Sequence, residues 1–248
     1  MTQINGTTTL VGIIGWPVSH SLSPAMQNAG FAALGLDWAY VPLPTLPERL
    51  DAAVGGISAA GFAGANVTIP HKSAVHALCD EIHPIAAEAG SVNTLVFRDG
   101  RIEGSSTDAV AMAGAVEAGG RRALVLGSGG SAKAAVCALR SAGADVTTAT
   151  RHDPDWPPSG RGFDIVVNAT PVKDTAIVVP RPGQQIVDLP YNPGGAPTAL
   201  VAAARAAGCE HIVDGIEFLL AQGAASFELW TGRAAPLEAM RAALRPVG

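Results

Sequence analysis

Short apolar runs rich in Val, Ile and Leu alternate along this chain with alanine-rich stretches of helical pattern. That alternation is the mark of an α/β protein with a mainly parallel sheet. Strands are predicted at 8–15 (TTLVGIIG), 39–44 (AYVPLP) and 64–69 (GANVTI). Between them the pattern predicts a helix from Pro24 to Leu34, capped by Ser23 and stopped by Gly35, and a second from Pro47 to Ala60. A helical region containing AAEAG (86–90) follows. The runs SVNTLVF (91–97) and RIEGSS (101–106) then flank Asp99-Gly100, a strong hairpin signal.

The alternation restarts near Thr107, which places a domain boundary at about 104–107. A helix from Asp108 to Glu117 leads to the strand RRALVLG (121–127), a glycine loop and the helix SAKAAVCALRSAG (131–143). Strands follow at 145–150 (DVTTAT), 164–170 (DIVVNAT), 184–190 (QQIVDLP) and 211–214 (HIVD), with a helix after Pro197. The segment RHDPDWPPSGRG (151–162) is too rich in Pro and Gly for regular structure. Two helices, GIEFLLAQGAASFELW (215–230) and one from Pro236, end the chain.

With 48% hydrophobic and 15% charged residues the chain is globular. Its net charge of -5, with no basic cluster beyond Arg121-Arg122, gives nucleic acid little to bind. No apolar run is long enough to span a bilayer, and the opening MTQINGTTTL lacks the pattern of a secretory leader. A cytoplasmic protein acting on a small molecule, with no membrane partner, is expected. Cys79, Cys137 and Cys209 have neither disulfide nor zinc spacing, so they read as small core residues and no metal is expected.

The candidate chemistry lies at strand ends. In VLGSGGSAKAA, Gly127, Gly129 and Ala132 have the spacing of a dinucleotide loop between strand and helix. Gly127 would make the turn, Gly129 would admit the pyrophosphate, and Ala132 would permit close helix packing. The next strand ends in Arg151, whose guanidinium suits the 2'-phosphate of NADP; His152 could add a contact, and Asp153 keeps NAD open. In the first half, Ser21 and Ser23 follow the first strand as candidate ligand contacts, Ser23 doubling as a helix cap. Asn66 and Thr68 share a strand face, Lys72 follows Pro70, Asn93 lies in GSVNT, and Asp108 opens the second unit. Lys72 is either a solvated helix start or, paired with Asp108, a proton donor and acceptor.

The motifs GWPVSHSLSP, GANVTIPHK, GSVNT, STDA, GSGGSAKA, NATP, YNP and GIEFLLAQGAASFELWTG, in this order, resemble those of shikimate dehydrogenases over nearly the whole chain. The resemblance implies an N-terminal α/β substrate domain and a Rossmann-type doubly wound nucleotide domain with a cleft between them. Residues 1–104 with 216–248 would form the first, and 105–215 the second. It implies reduction of 3-dehydroshikimate to shikimate with NADPH, in a monomer or homodimer. Lys72 and Asp108 would be the catalytic pair; Ser21, Ser23, Asn66, Thr68, Asn93, Tyr191 and Gln222 would bind substrate. Gly129, Gly130, Ser131, Arg151 and Thr170 would join Gly127 and Ala132 around the cofactor. Three departures stand out. Ser106-Thr107-Asp108-Ala109 replaces the usual N-T-D-G, Thr150-Arg151-His152 replaces N-R-T, and 151–164 is short for the helix that normally follows. A quinate or other shikimate-like polyol dehydrogenase, with NADP or NAD as its cofactor, and a non-catalytic shikimate sensor are the rival readings.

Overall fold

Strand β1 (Thr9–Gly15) runs between two parallel neighbours, β2 (Trp38–Pro44) and β3 (Gly64–Val67). A strand in that central position has both edges paired, and its residues from Val11 to Gly15 are all buried. The computed structural model describes residues 4–244; residues 1–3, the start of the stretch read above for a leader pattern, lie outside the described residues. The chain divides into two compact units, Met1–Thr107 with Leu220–Gly248, and Asp108–Leu219. Among the described residues no helix is long and apolar enough to cross a membrane.

In the first unit the sheet order is β2-β1-β3-β5-β6-β4, with β4 at Glu81–Ile82, β5 at Thr94–Arg98 and β6 at Arg101–Ser105. β5 and β6 form the antiparallel hairpin expected around Asp99-Gly100, and both turn residues have positive φ, 50° and 74°. Such a pair gives the turn a twist that matches the strands. Helices α1 (Ser23–Ala33), α2 (Leu50–Ala59) and α3 (Pro84–Ala89) belong to this unit. Ile14, Val54, Val67 and Leu95 lie in one of its cores. The chain returns to it through α7 (Gly215–Thr231), from Leu220 onward, and α8 (Leu237–Ala242). Phe227 stacks on Phe31 with ring centroids 5.2 Å apart, and Trp230 Nε1 donates to the Leu95 carbonyl at 2.9 Å.

In the second unit α4 (Thr107–Ala115) precedes β7 (Arg122–Leu126), α5 (Gly130–Ser141), β8 (Asp145–Ala149), β9 (Ile165–Asn168), β10 (Gln185–Asp188), α6 (Ala199–Ala206) and β11 (His211–Val213). All five strands are parallel in the order β11-β10-β9-β7-β8. The direction of winding reverses between β7 and β9, and the carboxyl ends at such a reversal are where α/β sheets hold ligands.

Four local expectations change. Leu22, not Ser23, is the N-cap of α1; Ser23 is its first residue, and its N–H donates to Ser21 Oγ at 3.2 Å. The helix expected over Pro47–Ala60 begins as a 3-10 turn, Pro47–Arg49. β3 ends at Val67, leaving Thr68 beyond it, although the Thr68 N–H still donates to the Ile14 carbonyl at 2.8 Å. The two-residue β4 and a 3-10 turn at Val75–Leu78 were not anticipated, because neither carries enough periodicity to register. Between β8 and β9 no helix forms, in keeping with the short Pro-rich segment there.

Gly64 and Gly56 give opposite expectations for one added methyl group. At Gly64 a Cβ would overlap the Leu95 carbonyl oxygen and the Trp230 indole nitrogen, breaking the bond between them. Gly64→Ala is expected to lower unfolding free energy by about 2–4 kcal/mol. Gly56 lies in α2 with nothing near its Cβ position, and Gly56→Ala should raise stability by about 0.5–1 kcal/mol. Urea titration of the two proteins checks both signs.

Candidate active site

Of the residues picked out by sequence in the first unit, Asn66, Asn93 and Gln222 come together. Asn66 is 5% exposed, and its Nδ2 lies 2.9 Å from Ser226 Oγ, 3.1 Å from Thr94 Oγ1 and 3.2 Å from the Asn93 carbonyl. Its Oδ1 accepts from the Tyr40 hydroxyl at 2.8 Å. Burial pushes that phenol well above its ordinary pKa, with a Ser23 hydrogen bond pulling the other way. Tyr40 therefore stays a protonated donor, and the polar atoms of Asn66 are engaged within the protein. Asn93 Oδ1 accepts the Thr107 N–H at 2.7 Å, and its Nδ2 donates to Thr107 Oγ1 at 2.9 Å and Gln222 Oε1 at 3.3 Å.

Tyr40, Thr94, Thr107 and Ser226 complete this network and were missed from sequence. Ser226 Oγ lies 2.9 Å from Thr94 Oγ1 and 3.1 Å from Thr107 Oγ1, and donates to the Gln222 carbonyl at 3.1 Å. The spacing Gln222/Ser226, one helical turn apart within a polar-interrupted apolar helix, was the available signal.

Ser21, Thr68 and Lys72 lie along the carboxyl edge of the same sheet's parallel strands. Thr68 lies over Gly15, where a Cβ would collide with its methyl group. His71 is buried, with Nε2 donating to the Thr45 carbonyl at 2.8 Å and its N–H to the Thr68 carbonyl at 2.9 Å. The half-buried Lys72 follows, and its carbonyl accepts the Val92 N–H at 2.9 Å. The turn carrying Lys72 is thus pinned on both sides of the side chain.

In the second unit the glycine loop runs from β7 into α5. Gly127 has φ 113°, and a Cβ there would come within 3.0 Å of the Ala169 carbonyl oxygen, so only glycine fits this approach of two loops. Gly129 is the N-cap of α5 with no side-chain cap, and a Cβ on it would meet no protein atom within 4 Å. That open space before a helix N-terminus, together with Gly130 at its first position and the buried Ala132, fits a pyrophosphate. Ser131 Oγ donates to Asp108 Oδ2 at 3.0 Å, so the serine hydroxyl holds the buried carboxylate.

After β8 the turn is tightly built. Asp153 Oδ2 accepts the Thr150 N–H at 2.7 Å, and Arg151 Nε donates to His152 Nε2 at 3.3 Å. Arg151 and His152 are both exposed. Thr170 donates to Asn168 Oδ1 at 2.7 Å, and its own N–H reaches the same oxygen at 3.1 Å. Tyr191 is half-buried and lines a small pocket with Asn192, Pro197, Thr198, Arg205 and Asp214. Asp188, missed from sequence, is fully buried; Asn168 Nδ2 donates to it at 2.7 Å and Thr198 Oγ1 donates to its other oxygen. Burial pushes its carboxyl up to about 6; the Thr198 and Asn168 bonds oppose this and the Asp214 charge adds to it.

Comparison with known proteins bears on both units. Residues 13–95 match the family described as the shikimate dehydrogenase substrate binding domain, and 215–245 the shikimate 5'-dehydrogenase C-terminal domain. The chain is 39% identical to the shikimate dehydrogenase (NADP(+)) of Citrifermentans bemidjiense, over 97% of this chain and 96% of the relative. A solved shikimate dehydrogenase in complex with NADP+ superposes with a TM-score of 0.89 at 31% identity, covering 98% of this chain and 96% of that one. The Thermus thermophilus shikimate 5-dehydrogenase, in complex with NADP(H) and shikimate, gives 0.82 at 33% identity, over 96% and 98%.

Two expectations follow from the buried polar groups. Ser226→Ala removes an acceptor and a donor from four neighbours and should cost about 1–3 kcal/mol in chemical unfolding. Asp188 binds its proton more tightly folded than unfolded, since burial raises it from 3.8 to about 6. Stability from this group is therefore full below pH 4 and is lost as pH rises to about 6, by about 2–3 kcal/mol. Asp188→Asn should flatten that part of the stability–pH curve, read by denaturant unfolding at pH 4 to 8.

Proposed function

The chain belongs to the shikimate dehydrogenase family, and from that premise we propose that it interconverts 3-dehydroshikimate and shikimate with NADP. The observation that carries the reading is similarity over nearly the full length of the chain to relatives named for this reaction. The quinate and sensor readings gain nothing comparable. NADPH, when bound, supplies the hydride.

The chain's own residues bind, orient and move one proton. Lys72 carries an ammonium on a turn fixed through His71 and Val92, and it delivers the proton to the oxygen of the substrate's ketone as that oxygen becomes an alkoxide. Asp108, steadied by Ser131, accepts a hydrogen bond from a substrate hydroxyl. Ser21 and Ser23 hold the carboxylate; Thr68, Asn93, Tyr191 and Gln222 hold hydroxyls. Asn66 contributes through Tyr40, Thr94 and Ser226, which it fixes. Gly127, Gly129, Gly130 and Ala132 shape the loop for the pyrophosphate, Thr170 borders it, and Arg151 takes the 2'-phosphate with a bidentate guanidinium.

The assay follows reduced nicotinamide with shikimate or quinate and NADP or NAD. Turnover is expected with shikimate and NADP; no turnover in any combination overturns the reading. Lys72→Ala should cost about 100- to 10,000-fold in kcat with the NADP dissociation constant unchanged. Arg151→Ala should weaken NADP about 10- to 100-fold and leave NAD unaffected.

A further inference from the structure

One buried carboxylate closes two loops of the second unit. The loop after β10 leaves from Asp188, carries Tyr191, and comes back at Thr198, whose hydroxyl donates to Asp188 Oδ2. Thr198 also caps α6 by accepting the Val201 N–H at 3.3 Å, so the loop's far end is anchored to a helix as well. The other oxygen, Oδ1, accepts from Asn168 Nδ2 at 2.7 Å. That same amide group reaches the Val172 carbonyl at 3.0 Å, while Asn168 Oδ1 takes the N–H and the hydroxyl of Thr170. Asn168 thus shapes the loop 169–172 that meets the glycine turn at Gly127. A backbone bond from the Ala199 N–H to the Lys173 carbonyl, 2.8 Å, links the far ends of both loops.

We propose that Asp188 is a positioning residue, a clasp that sets the Thr170 loop and the Tyr191 loop in fixed register so that cofactor and substrate contacts form together. It touches neither ligand and acts through Asn168 and Thr198. Its burial costs stability once it ionises, as its raised pKa shows, which is unexpected for a group whose only service is to the fold. The proposal rests on the assignment of Thr170 and Tyr191 to ligand contact.

The test compares Asp188→Ala, Asp188→Asn and Thr198→Val by NADP titration of the protein without substrate and by steady-state kinetics with shikimate. Asp188→Ala should raise the NADP dissociation constant and the shikimate KM about tenfold each, with a smaller fall in kcat. Asp188→Asn, which keeps one acceptor, should recover most of both. Thr198→Val opens only the Tyr191 loop and should raise the shikimate KM alone. A folded Asp188→Ala protein with both constants within about twofold of the parent overturns the clasp, whatever its melting temperature. If Asp188→Ala does not fold, Thr198→Val with an unchanged shikimate KM overturns it. Failure of the parent chain to turn over shikimate overturns the functional reading instead, and the NADP titrations of Asp188→Ala and Asp188→Asn then decide the clasp.

Discussion

A polar side chain taken out of water must find its hydrogen bonds inside the protein or cost several kcal/mol. That constraint organises the carboxyl ends of the strands in both units. In the first, Asn66, Asn93, Thr94, Thr107 and Ser226 are all nearly or fully buried and satisfy one another. The members come from β3, β5 and the residue before it, the start of α4 and the returning α7, segments far apart in sequence. In the observed arrangement these members satisfy one another, so the network that lets polar groups exist there also ties those segments together. Gln222 and Asn93 acquire fixed positions as a by-product.

The second unit meets the same constraint with a charge. Asp188 ends an entirely buried strand, and its two oxygens each take one strong donor, from Asn168 and Thr198. Asp214 lies near enough to raise its pKa further while its own Oδ1 caps α7 through the Ile216 and Glu217 N–H groups, each at 3.0 Å. Gly215 between them is pressed against the Leu189 and Pro190 carbonyls, where any side chain would overlap. Loop shape here follows from backbone crowding and a buried carboxyl together.

What could be read from sequence, and what could not, divides along the range of the interactions. The hairpin at Asp99-Gly100, the glycine turn at Gly127 and the missing helix after β8 depend on neighbours in the chain, and each was legible. Tyr40, Ser226 and Asp188 matter because of partners 26, 160 and 20 residues away, for example Tyr40 and Ser226 at Asn66 and Asp188 at Asn168. An isolated tyrosine or aspartate in an apolar stretch carries no local mark of such a role, and for Ser226 the one-turn spacing from Gln222 was the sole hint. Ser23 shows the converse error: Ser before Pro is a strong cap signal, yet Leu22 is the N-cap, the Ser23 hydroxyl bonds Tyr40, and Ser21 supplies the hydroxyl to the Ser23 N–H. Local propensity was overridden by a buried partner.

The choice between NADP and NAD turns on the same reasoning at the end of β8. An acidic residue there would suit NAD if its carboxylate faced the ribose, and Asp153 is in the right stretch to be suspected. Its Oδ2 instead accepts the Thr150 N–H at 2.7 Å, and its own N–H donates to the Thr150 carbonyl at 3.0 Å. The carboxylate is thereby spent on closing its own turn. That turn presents Arg151 and His152 outward, with the imidazole accepting from the guanidinium Nε and leaving the terminal nitrogens of the fork for an anion. On the proposed assignment of Arg151 to the 2'-phosphate, the loss of the usual asparagine and threonine around it is no argument for NAD, because the acidic group that would make one serves the backbone.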